Sequence, residues 1–180
     1  MFIAPVVELA VKTLLDRFYT GLAALAGLCL VMVLLIQLAA IVGRFAHFTI
    51  EGHDAYAGYF LAAASFLAMA YALRSGDHIR VTLLISRLVG RRRYWAELLD
   101  LILASVISLA LAGFSLRLAW GSWRFEDVSQ NVDATPLWIP QIAMALGTCA
   151  LALAFVEELV SLVMRGQLPP ETPGEIARTE

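Results

Sequence analysis

Four long runs of apolar residues, separated by short polar stretches, dominate the pattern along the chain. They cover about 20–43, 55–73, 101–120 and 136–163, and the charged residues within them lie near their ends. Each run has at least roughly the 20 residues with which an α-helix crosses the hydrocarbon core of a bilayer. The pattern therefore predicts an all-α integral membrane protein with four transmembrane helices, numbered one to four along the chain.

The first residues of the chain, 2–19, are apolar on one side only. Glu8, Lys12 and Asp16 recur at four-residue intervals, and apolar side chains fill the opposite face. Residues four apart lie on the same face of a helix, and a helix of this kind rests at the membrane surface with its apolar face towards the lipid. We expect an amphipathic interfacial helix at the N-terminus.

A second amphipathic pattern lies between helices two and three, in 79–89. Val81, Leu84 and Leu88 repeat at helical spacing, and arginines group on the opposite side. This spacing favours a second interfacial helix at the membrane surface. The alternative is a plain basic loop, which the arginines at 91–93 hold near anionic lipid.

Lysine and arginine are distributed unevenly between the two sides of the predicted helices. Ten of the thirteen lie before helix one, between helices two and three, or after helix four. The three on the other side are Arg44, Arg117 and Arg124. Because basic residues accumulate in cytoplasmic loops, both termini and the middle loop are predicted to be cytoplasmic, with 165–180 as a tail.

Composition excludes a water-soluble protein and leaves little room for anything outside the membrane. Hydrophobic residues make up 61% of the chain, charged residues make up 16%, and the mean hydropathy is +0.79. These values are far from those of soluble domains. The 180 residues are therefore expected to form a single membrane domain, 1–180, and the net charge of -2 gives no reason to expect a nucleic-acid partner.

The sequence predicts no catalytic, cofactor or metal site, and hence no enzyme. His47, His53 and His78 all lie outside the predicted spans, whereas haem in a four-helix membrane bundle needs facing histidines within the helices. Cys29 and Cys149 lie in apolar runs with no metal-ligand spacing, which favours plain packing.

Polar and small residues inside or beside the spans have structural interpretations. Gln37 and Ser65 are expected to form hydrogen bonds between helices, and Gly58 to let helices approach closely. Arg44 either pairs with a carboxylate or extends towards water and phosphate. Pro136 suits the first position of helix four after a Thr135 cap, and the other residues of that start, Trp138 and Pro140, are expected to set its depth.

Two motifs resemble a known family. The string Leu73-Arg74-Ser75-Gly76-Asp77-His78-Ile79-Arg80-Val81 follows helix two, and Pro136-Leu137-Trp138-Ile139-Pro140-Gln141 opens helix four. With Gly147, they resemble the small membrane subunit (DctQ-like) of tripartite ATP-independent periplasmic (TRAP) transporters, over about 14–164. An acidic residue commonly follows that valine in the family, whereas this chain has Thr82.

The resemblance implies a non-catalytic subunit of the bacterial inner membrane. Its partners would be a large TRAP membrane subunit, which moves an organic acid with a sodium gradient, a periplasmic substrate-binding protein that delivers the acid transiently, and membrane lipids. The alternative is a stand-alone four-helix membrane protein, such as a redox or lipid-modifying subunit. The partner-interface candidates are Arg44, Gly76, His78, Ile79, Arg80, Val81, Leu84, Leu88, Pro136, Trp138, Pro140 and Gln141.

Overall fold

The computed structural model describes residues 3–48, 51–75, 91–131 and 134–165. Four helices account for most of them: α1 (Ile3–Phe45), α2 (His53–Arg74), α3 (Arg91–Arg124) and α4 (Trp138–Arg165). All four are long and apolar enough to cross a membrane. The predicted fold class, an all-α membrane protein with four transmembrane helices, is confirmed.

The helices differ in extent from the apolar runs of the sequence. Helix α1 is one continuous helix of 43 residues, which joins the segment predicted to lie at the surface to the segment predicted to span. Helix α3 extends beyond its apolar run at both ends. The second predicted interfacial helix, 79–89, lies outside the described residues.

Helix α4 begins at Trp138, two residues after the proline that the sequence placed at its start. Pro136 instead pairs with Val128 in an isolated antiparallel bridge. The amide of Leu137 donates to the carbonyl oxygen of Asp127 at 2.9 Å. These bonds tie Pro136 and Leu137 to the preceding loop, so the helix starts two residues later than its proline suggested.

The helices form a row in the order α1, α2, α4, α3, because α1 packs on α2, α2 on α4, and α4 on α3. Helices α1, α2 and α4 share the main apolar core, and α3 contributes no residue to it. The core consists of Tyr19, Leu22, Ala26, Leu67, Ala70, Leu73, Ala150, Leu151 and Ala154. The chain is therefore a three-helix unit with a fourth helix attached along one side.

Helices α2 and α4 are in close contact at Gly147. A Cβ atom built on this glycine would overlap the backbone carbonyl of Phe66 and approach its Cβ to 2.8 Å. Small residues allow membrane helices to come this close. Gly58, which the sequence suggested for that role, is exposed, and a Cβ there would meet nothing within 4 Å.

Helix α3 lies against α4 through a narrow seam of mostly small residues. The buried members are Leu101, Ser105, Ser108, Ala112, Ser115 and Ser122. They recur every three or four positions, apart from one gap of seven, which places them on one face of the helix. Much of the rest of α3 is exposed and aliphatic, as expected of a surface that faces lipid.

Candidate functional site

A cluster of charged and polar side chains joins α1, α2 and α4 at one end of the helix bundle, where α2 ends. Arg74, in the last turn of α2, lies at its centre. Its Nε and Nη2 both donate to Oδ1 of Asp16 in α1, at 2.7 Å each. Its Nη1 donates to Oε2 of Glu157 in α4 at 2.8 Å. One guanidinium group therefore bonds carboxylates of two different helices, and its own helix is the third.

Tyr19 of α1 completes this cluster. Its hydroxyl group donates to the same Glu157 oxygen at 3.2 Å, and the Arg74 guanidinium carbon lies 5.0 Å from the centre of its ring. That distance allows a cation–π contact. Since Tyr19 is only 1% exposed and belongs to the main core, the cluster is continuous with the apolar packing. We call these four residues, Asp16, Tyr19, Arg74 and Glu157, the Arg74 cluster.

The two arms of the Arg74 cluster differ in their exposure to water. The Asp16 side chain is 53% exposed, whereas that of Glu157 is 30% exposed and that of Arg74 is 25% exposed. Exposed ion pairs contribute only about 0–1 kcal/mol because water and salt screen them. The bond to Glu157 is better shielded and has the tyrosine hydroxyl beside it, so we expect it to be the stronger arm.

Sequence reasoning missed this cluster, although its signal was present. Arg74 stood in the family motif and among the basic residues between helices two and three, and Glu157 was one of the charged residues near the ends of the apolar runs. The predicted topology places the start of helix one and the ends of helices two and four on the same side. Opposite charges at those three positions were therefore candidates for pairing, but the choice among them required the order of the helices.

A second group of contacts lies at the opposite end of the helix bundle, where α2 and α4 begin. The hydroxyl group of Thr135 donates to the Tyr56 hydroxyl of α2 at 3.3 Å. Its carbonyl oxygen accepts from the amide of Ser129 at 2.8 Å. Thr135 thus ties the loop between α3 and α4 to α2, a role that the sequence did not suggest.

The interface candidates are only partly covered by the structure. Arg44 is exposed in the last turn of α1, while Trp138, Pro140 and Gln141 form the partly buried start of α4. No described residue donates to the buried side-chain oxygen of Gln141. The remaining candidates, which belong to the motif after α2 and to the segment predicted to be amphipathic, lie outside the described residues: Gly76, His78, Ile79, Arg80, Val81, Leu84 and Leu88.

Within the described ranges, no group of three or more His, Cys, Asp or Glu side chains is placed to hold a metal ion. Gln37 is exposed, and the Ser65 hydroxyl donates to the carbonyl of Leu61 in its own helix at 2.9 Å. Among the described residues, neither makes the bond between helices that the sequence suggested. The Arg74 cluster is a structural arrangement of charges, since its bonds run from helix to helix.

Four spanning helices and a polar cluster that bonds helix to helix define a multi-pass membrane protein. Over residues 33–165 the chain matches the family described as tripartite ATP-independent periplasmic transporters, DctQ component. The chain belongs to this family, and the match includes the C-terminal part of α1, from residue 33 onwards, and all of α2, α3 and α4.

A named relative agrees with this assignment. The C4-dicarboxylate TRAP transporter small permease protein DctQ of Rhodobacter capsulatus is 24% identical to the chain over 107 residues. The aligned part is 59% of this chain and 47% of the relative, so the chain spans about half the length of that protein. The predicted family resemblance is confirmed.

Proposed function

We propose that this small permease subunit is non-catalytic and holds the large membrane subunit of a TRAP transporter in place. The large subunit would carry an organic acid inward with a sodium gradient, after a periplasmic binding protein has delivered it. The observation that carries the proposal is the family match, which covers three of the four spans completely and part of the first.

The distribution of charged residues along the helices favours a subunit that holds the large subunit in place and does not itself transport the acid. The stretches 20–43, 55–73, 101–116 and 138–156 contain no Asp, Glu, Lys or Arg. A carboxylate that crosses hydrocarbon needs compensating cations or hydrogen-bond donors at mid-membrane depth. We therefore assign the transport site to the large subunit. The name of the relative specifies C4-dicarboxylates, and for this chain we propose the wider class of organic acids.

Reconstitution tests which subunit carries the transport site. In sealed vesicles with a sodium gradient, this chain alone is expected to move no organic acid, and the full set of subunits is expected to restore uptake. The matched control omits only this chain, which should abolish uptake and leave capture by the binding protein unchanged. Saturable uptake by the chain alone would contradict the proposal.

We place the chain in the bacterial inner membrane with both termini in the cytoplasm, on the basis of the ten-to-three split of basic residues. A reporter that works only outside the cytoplasm should be active when fused after Asp127 and inactive after Arg92. The opposite pattern would reverse the orientation. It would also place the Arg74 cluster on the outer side.

The cytoplasmic motif and the amphipathic segment after it are proposed to contact the large subunit. Changing Val81, Leu84 and Leu88 together to serine removes most of the apolar face of that segment and should impair assembly. The matched control changes Thr82 and Ser86, between the apolar positions, to alanine. Equal recovery of the complex with both variants would exclude the segment from assembly.

A further inference from the structure

The Arg74 cluster connects the three helices of the main core at the end from which the cytoplasmic motif continues. Arg74 is the last residue of α2, and Gly76 of the motif follows two residues later. The position of that segment relative to α1 and α4 therefore depends on what holds the last turn of α2. Arg74, in that last turn, bonds the carboxylates of Asp16 and Glu157 on the two neighbouring helices.

We propose that Arg74 is a positioning residue, which fixes the cytoplasmic ends of α1, α2 and α4 at one spacing so that together they present a single docking surface to the large subunit. The inference rests on the proposed function. The planar guanidinium suits this task because its donors point in fixed directions. A lysine in its place would supply charge without those directions.

Loss of the guanidinium would affect two helices at once. Asp16 and Glu157 both bond to the same group, and without it their negative charges would face each other with no cation between them. Removing the shared partner of close charges is more disruptive than removing either outer member, because like charges then remain uncompensated. In the Arg74→Gln variant we therefore expect α1 and α4 to move apart.

Helix α1 is the element most dependent on this anchor. The 18-residue apolar window of its spanning segment has the smallest buried share among the four candidate spans, 11%. Its buried residues from the cluster onwards are Tyr19, Leu22, Ala26 and Cys29, and the next buried residue is Gly43. The Asp16 bond lies at one end of this contact, beside Leu15, which packs against the core.

Arg93 provides a matched control on the same side of the predicted membrane. Its side chain is 25% exposed, the same fraction as that of Arg74, and its Nε donates to Glu97 at 3.2 Å. That pair joins two residues of α3 four positions apart, so its loss breaks a bond within one helix. Arg93→Gln therefore removes an equally exposed charge that lies outside the Arg74 cluster.

Distance measurements test the positioning directly. Spin labels are placed at Leu14 of α1 and Met164 of α4, which are 69% and 82% exposed, after Cys29 and Cys149 are replaced by alanine. With wild-type residues in the cluster, and with Arg93→Gln, the labels should give one narrow distance distribution. Arg74→Gln should broaden and lengthen it, Asp16→Asn should broaden it less, and Arg74→Lys should restore it only in part.

Assembly supplies the second readout, measured well below the unfolding temperature so that loss of stability alone does not change it. Arg74→Gln should weaken binding to the purified large subunit about tenfold, which lies within the usual range for a conformational change coupled to binding, and Arg93→Gln should leave it unchanged. Unaltered distances in Arg74→Gln, or altered distances with wild-type binding, would each overturn the inference. If the wild-type chain does not bind the large subunit, the proposed function fails and the docking role fails with it, while the distances still decide whether Arg74 spaces the helices.

Discussion

The interface between α2 and α4 and the interface between α3 and α4 share one helix but are built differently. Between α2 and α4, the backbones meet at Gly147 and Phe66, buried leucines and alanines surround the crossing, and Arg74 bonds Glu157 near the end. Between α3 and α4, a seam of serines and alanines is buried, and the described serine bonds stay within α3. Close packing and charge join the first pair, whereas small side chains alone let the second pair approach.

The difference indicates which part of the chain forms a rigid body. In a membrane, lipid is as apolar as the helix surface, so helix association depends on packing and on hydrogen bonds between helices. The unit of α1, α2 and α4 has close packing and hydrogen bonds between helices, whereas the interface of α3 with α4 has mainly packing. We expect α3 to separate from α4 at lower concentrations of denaturing detergent than α2 does.

The largest expected effect is at the glycine of the first interface. Gly147→Ala should lower the free energy of unfolding by about 1–3 kcal/mol, because the added methyl group has no space beside the Phe66 carbonyl. Unfolding by denaturing detergent in mild-detergent micelles measures this. Gly113→Ala in α3 is the control, since a Cβ there meets nothing within 4 Å. Equal losses in both variants would show that the α2–α4 crossing is not close-packed.

A smaller effect is expected at the polar edge of the core. Tyr19→Phe keeps the buried ring and removes the hydroxyl group that donates to Glu157, which should cost about 1 kcal/mol of unfolding free energy. Tyr71→Phe, at an exposed tyrosine of α2, should change stability very little. A Tyr19→Phe variant as stable as the wild type would show that this hydroxyl group does not contribute to the stability of the cluster.

The smallest effect concerns the seam between α3 and α4. Ser105 is 4% exposed, and its hydroxyl group has no hydrogen-bond partner among the described residues. Ser105→Ala should leave stability unchanged or raise it by up to about 1 kcal/mol, since a buried polar group without a partner is unfavourable. In Ser108→Ala, which removes a donor to the Ser105 carbonyl, stability should fall by roughly 0.5 kcal/mol. A marked loss in Ser105→Ala would mean that its hydroxyl group bonds across the seam.

Much of the fold could be predicted from the sequence because a bilayer imposes the length and apolarity of a spanning helix. The order of the helices could not, because residues that face lipid and residues that face another helix are both apolar. Gly58 and Gly147 illustrate this: both are glycines inside predicted spans, but only Gly147 touches a neighbouring helix of the chain. Composition cannot distinguish them.

The candidate site could be predicted only in part. The family motifs marked the end of helix two and the start of helix four, and the structure places the Arg74 cluster next to the first and the Thr135 contact next to the second. Periodicity along one helix carries no information about bonds between helices far apart in sequence. Arg74 and Glu157 are 83 positions apart, so their pairing depends on the order of the helices.

The length of α1 has a mechanical consequence. A continuous helix of 43 residues is about 64 Å long at 1.5 Å per residue, roughly twice the thickness of the hydrocarbon core. Among its described side chains, the buried ones lie between Tyr19 and Cys29, and beyond them only Gly43 is buried. The part from Cys29 to Phe45 is about 24 Å long. A rotation of about 10° at the Tyr19–Cys29 contact would displace the far end by about 4 Å. A small change of angle near the Arg74 cluster would thus become a measurable shift at the other end of the helix.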